Sequence, residues 1–137
     1  MNSDPAELLR DFLRDNVSSY EELEALLFLA RNPAQEWSAQ EVADALKVSA
    51  DSTAEALEAL TAGGQVVGAQ QRASSVVYRY APSDDSIEQR VVDLKQAYEA
   101  QRLSVVMMMS ENAVDRVRKA AMRRLADAFR LETGKKK

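Results

Sequence analysis

Cysteine and histidine are both absent from the 137 residues. That excludes disulfides, thiolate or imidazole metal ligation, and nucleophiles of the Ser–His or Cys–His type. Long apolar runs are missing too: "ALLFLA" and "VVMMM" fall far short of the ~20 residues that cross a bilayer. Asp4, Glu7 and Asp11 stand where a secretory leader needs a basic start and an apolar core. No membrane association is therefore predicted, and a cytoplasmic location is expected. What is present is globular composition, with 46% apolar and 29% charged residues, enough to bury a core and a helical extension.

The net charge of -4 hides an uneven distribution. From Ser18 to Gly64 nine acids face only Arg31 and Lys47, whereas from Val114 to the end nine bases face Asp115, Asp127 and Glu132. An acidic body is thus followed by a basic tail, an arrangement that steers the two halves of neighbouring molecules together.

Hydrophobic periodicity divides the chain. In "DPAELLRDFLRD", Leu8, Leu9, Phe12 and Leu13 recur at helical spacing behind Asp4 and Pro5, predicting an amphipathic helix within residues 1–17. Ser19 and Glu22 form a capping-box pattern for a second helix that Pro33 stops, and Ser38 with Glu41 repeats it. Trp37, just before that cap, reads as a core anchor or a short-strand residue. Ser49 opens "ADSTAEALEALTAGG", which is expected to bury Ala54, Leu57 and Leu60 and to end at Gly63 and Gly64. The period then changes to two, predicting a β-hairpin that closes at Pro82, with a polar tip from Ala69 to Ser75.

Beyond Asp84 the chain is helical again. Ile87, Val91, Leu94, Tyr98, Gln101, Val105 and Met108 alternate at spacings of four and three, a coiled-coil-like seam suited to a homodimer. Ser110 is placed to cap a last helix with Val114, Val117, Ala121, Leu125 and Phe129 near one face. The helical segment is expected over residues 84–131, and residues 132–137 as a frayed basic tail.

The fold class expected is therefore mostly α with a small β-hairpin. "WSAQEVADALKVSADSTAEALEALTAGGQVV" and "VVYRYAP", within residues 18–82, resemble the winged helix-turn-helix modules of bacterial transcriptional regulators such as the MarR and PadR groups. The closing "RRLADAFRL" is similar to the end of small bacterial winged-helix proteins. The resemblance implies a recognition helix over Ser49–Thr61, a wing whose tip is Gln70–Ser75, and appended helices that dimerise the protein.

Electrostatics pull against DNA as the partner. Duplex affinity rests largely on Lys and Arg neutralising phosphates. The recognition helix has neither, and it presents Asp51, Ser52, Glu55 and Glu58 on its expected outer face. The positive charge available for a DNA-binding dimeric repressor is Arg72 and Arg79 of the wing, beside Gln70 and Gln71, and Arg116, Arg123, Arg124 and Arg130 of the last helix. The bases of the last helix equally suit the acidic body of a second subunit, and protein contacts by the acidic helix are slightly favoured over DNA. A third reading is a small-ligand sensor lined by Trp37, Tyr98 and the methionines.

Three remaining stretches have plain explanations. "LSVVMMMS" reads as core or seam, Asp84 and Asp85 as helix-capping acids, and "TGKKK" lacks the strand, upstream glycine and following helix of a phosphate loop. No catalytic constellation emerges. The expectation is a non-enzyme without cofactor or metal.

Overall fold

The helix starts of this chain are written by short polar side chains. In the computed structural model, which describes residues 4–135 and the side chains of 4–129, Asp4 Oδ1 accepts from the Ala6 N–H at 3.2 Å to open helix α1 (Pro5–Asn16). Ser19 caps α2 (Tyr20–Arg31), and the largely buried Glu22 carboxylate accepts from the Ser18 N–H at 3.0 Å and from the Ser18 hydroxyl at 2.9 Å. A buried carboxylate is tolerable there because donors surround it at a helix N-terminus. Both halves of the Ser38–Glu41 capping box form, at 3.1 and 2.8 Å, and start α3 (Ala39–Leu46).

Lys47 ends α3 in the left-handed region at φ 59°, and Ser49 caps α4 (Ala50–Gly63) after a three-residue turn. Gly64 leaves α4 at φ 70°, which glycine adopts without steric cost. The buried positions of α4 are Thr53, Ala56, Leu57 and Leu60. Ala54 is only half-buried, because the covered stripe runs i, i+3, i+4, i+7 from Thr53.

Strand β1 (Trp37–Ser38) and the hairpin strands β2 (Val67–Arg72) and β3 (Ser75–Tyr80) make an antiparallel sheet in the order β1-β3-β2. Arg72 pairs with Ser75 across a turn of only Ala73 and Ser74. The polar tip is thus shorter than expected: Gln70, Gln71 and Arg72 are ladder residues of β2, paired with Val77, Val76 and Ser75. The β-forming residues Val76, Val77, Tyr78 and Tyr80 stand on β3 opposite Gln71, Gln70, Ala69 and Val67, so the propensity of one strand carries the polar one into the ladder. Trp37 is both things its position suggested, a strand residue opposite Tyr78 and an edge-to-face partner of Phe28 at 4.8 Å.

Helix α5 (Asp85–Ala100) starts at Asp84, whose Oδ1 accepts from the Ile87 N–H at 2.8 Å. The chain then turns at Gln101, φ -145°, and continues as α6 (Arg102–Lys135). The break falls inside the expected seam, and Ser110 lies within α6 instead of capping it. No proline or glycine marks the corner, so its cause is tertiary: folding back lets Val105 and Met109 join the core and brings Asn112 Nδ2 to the Arg10 carbonyl oxygen at 3.2 Å. α6 runs helical through Lys135, past the point where fraying was expected.

One core joins all of these elements. Leu13, Leu23, Leu26, Leu27, Leu29, Leu57, Leu60 and Leu94 are fully buried at its centre, with α2 in the middle and α1 clamped between the helical body and α6. The chain is mostly helical, with a small three-stranded antiparallel sheet.

Candidate functional site

Burial of one α4 stripe fixes what the opposite stripe presents. Asp51, Ser52, Glu55 and Glu58 are all exposed on it, as the periodicity predicts. Glu55 and Ser52 also line a groove of about 340 Å³ against the start of α2, where Ser19, Glu21 and Glu22 form the other wall. The acidic character of α4 therefore extends onto α2. On the far side Glu58 reaches toward Tyr78, whose phenol is pushed above its ordinary range by burial first and by the Glu58 charge second.

The hairpin contributes less positive charge than its sequence offers. Arg72 donates through Nε to Glu36 Oε1 at 3.3 Å and through Nη2 to Glu36 Oε2 at 3.0 Å, a two-pronged pairing across the sheet edge. The guanidinium holds the Glu36 carboxyl below its usual range, with a smaller contribution from Arg79. Gln70, Gln71 and Arg79 are exposed. Arg79 thus remains as the hairpin's outward cation, while Arg72 is engaged by a residue that sequence spacing gave no reason to connect with it.

The seam residues are used within the chain. Val91, Leu94, Tyr98 and Val105 are buried, and Ile87 and Met108 pack half-buried against the same core. At the α5–α6 corner, Arg102 lies over the rings of Tyr98 and Tyr20, 5.1 and 5.7 Å from their centroids, and also donates to the Tyr20 hydroxyl. Tyr98 and Tyr20 hydroxyls are 3.3 Å apart, and burial, then the Tyr20 and Glu24 hydrogen bonds, push the Tyr98 phenol well above its ordinary range. This cluster ties the first turn of α6 to α2 and α5.

The surface of α6 is a different matter. Val105, Met109 and Asn112 are its last buried residues; beyond Asn112 no described side chain of α6 is buried. Leu103 is 71% exposed, Val117 71% and Leu125 54%, and Met107, Val114 and Met122 are also exposed. Leu103, Met107, Val114, Val117, Ala121 and Leu125 follow spacings of four, seven, three, four and four, one stripe, interrupted by Ser110, opposite the buried face. Arg118 and Arg124, both exposed, flank the stripe, while Arg123, also exposed, and Arg116, half-buried with Nη1 lacking an acceptor, lie toward the other side of the helix. The Arg130 side chain lies outside the described residues. Sequence periodicity had placed Val114, Val117 and Leu125 on one face; it gave no sign that this face, and not the seam, would be left open.

The residues suggested for a ligand pocket do not converge. Trp37 packs on Phe28, Tyr98 on Tyr20 and Arg102, while Met108 lines a separate groove of about 620 Å³ between α1 and α5. Among the described residues no His, Cys, Asp or Glu group is arranged to hold a metal ion, and no helix is long and apolar enough to cross a membrane. Compared with family models and with curated proteins, the chain matches none.

Proposed function

We propose that this chain is a non-enzymatic regulatory protein of winged-helix type, associated with transcriptional control, that binds a protein partner through the acidic outer face of α4 and self-associates through its C-terminal helices. The order α2, β1, α3, short turn, α4, hairpin, with β1 beside β3, supports the winged-helix part of this reading. The choice of partner rests on one observation. The face of α4 that points to solvent carries Asp51, Glu55 and Glu58 without a single Lys or Arg, and Glu21 extends it. Phosphates would be repelled by such a face, and a basic protein surface attracted.

Fluorescence anisotropy with duplex DNA tests this directly. The wild-type chain is expected to show no binding at micromolar protein in low salt, and Glu55→Lys with Glu58→Lys to create weak, salt-sensitive binding. Exposed Arg79, Arg123 and Arg124 favour the second reading, a dimeric DNA-binding repressor. Wild-type binding that falls steeply with salt and is lost in Arg79→Ala would establish that reading and sink the first. Light scattering of the full chain tests self-association; a monomer at all concentrations ends that part of the proposal.

A further inference from the structure

The outward stripe of α6 keeps a coiled-coil count. Leu103, Met107, Ser110, Val114, Val117 and Ala121 recur at steps of four, three, four, three and four, and every one of them is exposed. Such steps average 3.5 residues, the repeat by which one helix keeps a single seam toward another. Written as heptads, Met107, Val114 and Ala121 take the a positions and Leu103, Ser110 and Val117 the d positions; Arg124 at d and Ala128 at a continue the count. Ser110 breaks the stripe as an apolar surface but fits the repeat as a small residue in the seam. The buried residues of α6, Val105, Met109 and Asn112, fall at f, c and f, so the rest of the chain packs on the far side and leaves the seam open. Ala113, Val114, Val117 and Arg118 line an apolar concavity of about 470 Å³. They are consecutive g, a, d and e residues, the positions whose side chains form the hole for a facing knob.

The polar residues of the seam select the partner and its direction. A parallel second copy would set Arg124 against the partner's Arg124 and leave Glu111 and Arg118, both at e, beside the partner's Val106 and Ala113. In an antiparallel pair a faces d and e meets e. With Val114 opposite the partner's Val117, the other layers join Ser110 to Ala121, Met107 to Arg124 and Leu103 to Ala128. Arg124 then lays its aliphatic stem along a methionine and keeps its charge in water. The same register brings Glu111 beside the partner's Arg118, twice by symmetry, while Ala113 and Ala120 at g leave the other edge uncharged. Arg118 has no ion pair among the described residues, and Glu111, 3.0 Å from Arg10, keeps 55% of its side chain exposed for a second cation.

Resting on the self-association proposed above, we infer that the outward stripe of α6 pairs with the same stripe of a second copy as an antiparallel two-helix coiled coil, Val114 opposite Val117 and Glu111 beside Arg118. The contact is self-complementary and closes as a two-fold dimer. The two helical bodies lie outside the pair, one on each flank.

The absence of native cysteine makes the test clean. Ser110→Cys is mixed under mild oxidation with Ala121→Cys, and Met107→Cys with Arg124→Cys, all in the full-length chain and all at exposed positions. In the antiparallel register the two members of each mixture face each other. Like positions are then eleven or seventeen residues apart along the pair, roughly 16 and 25 Å, beyond the ~7 Å that a disulfide spans between Cα atoms. Circular dichroism verifies that each variant keeps its helix content, and light scattering that the unmodified chain is a dimer. At least one mixture is expected to give a disulfide-linked dimer joining the two different variants, while each variant oxidised alone stays uncrosslinked. A dimeric chain in which single variants crosslink to themselves, or in which neither mixture crosslinks, overturns the antiparallel pair while self-association stands. A monomeric full chain overturns both.

Discussion

At the scale of single residues, two positions carry backbone conformations that their side chains resist. Lys47 at φ 59° and Ala73 at φ 49° stand where glycine is at ease. A left-handed non-glycine residue costs on the order of 1 kcal/mol, part of which returns as unfolded-state entropy when glycine is introduced. Lys47→Gly is therefore expected to stabilise the protein by about 0.5–1 kcal/mol, seen as a higher urea midpoint with unchanged slope. Tyrosine ionisation offers a second check. Tyr78, Tyr80 and Tyr98 all have phenols raised by burial, Tyr80 also by its 2.7 Å hydrogen bond to Glu88. The unfolded chain loses those protons near pH 10 while the folded one still holds them. Stability is thus full below about pH 10 and declines as pH rises beyond it; tyrosinate absorbance should lag behind that of the urea-unfolded chain. The burial behind these shifts was partly legible, since Val76, Tyr78 and Tyr80 recur at a period of two around the outward Arg79. The link from Arg72 to Glu36 was not, because nothing local joins residues 36 positions apart.

Among elements, the informative contrast is between two apolar stripes that look alike in sequence. Leu94 on α5 is fully buried, and Leu94→Ala is expected to cost about 2–5 kcal/mol of stability whatever the protein concentration. Val117 on α6 is largely exposed, so Val117→Ser should change the stability of a single chain by less than about 0.5 kcal/mol. Its effect should fall on association, which light scattering across a dilution series separates from folding. Dilution of the wild type should likewise lower helix content in circular dichroism, as the distal half of α6 loses its cover. The starts of α2 to α5 were readable because a cap is a local contact: Ser19, Ser38, Ser49 and Asp84 all accept from the backbone N–H three residues on. The corner at Gln101 was not, since the seam periodicity runs straight through it and no breaker interrupts the sequence.

For the molecule as a whole, charge and shape divide the labour. One core holds α1 through the first turns of α6, and two surfaces of opposite sign emerge from it: the acidic α4–α2 face and the basic outer length of α6. If the chain self-associates through the exposed apolar stripe of α6, high salt should leave the assembly largely intact, because apolar burial remains when charges are screened. Sedimentation at low and high ionic strength would measure this.

The sequence alone determined where α1 to α5 begin, where glycine ends α4, that the period changes to two for the hairpin, and that α4 turns an acidic face outward. Each follows from contacts a few residues apart. Only the tertiary structure decided that the α5–α6 seam is spent inside the chain, that Arg72 answers to Glu36, and that α6 keeps an open apolar stripe. Periodicity shows that a helix has an apolar face; which neighbour covers it depends on contacts as distant as Arg10 with Asn112, beyond the reach of any local pattern.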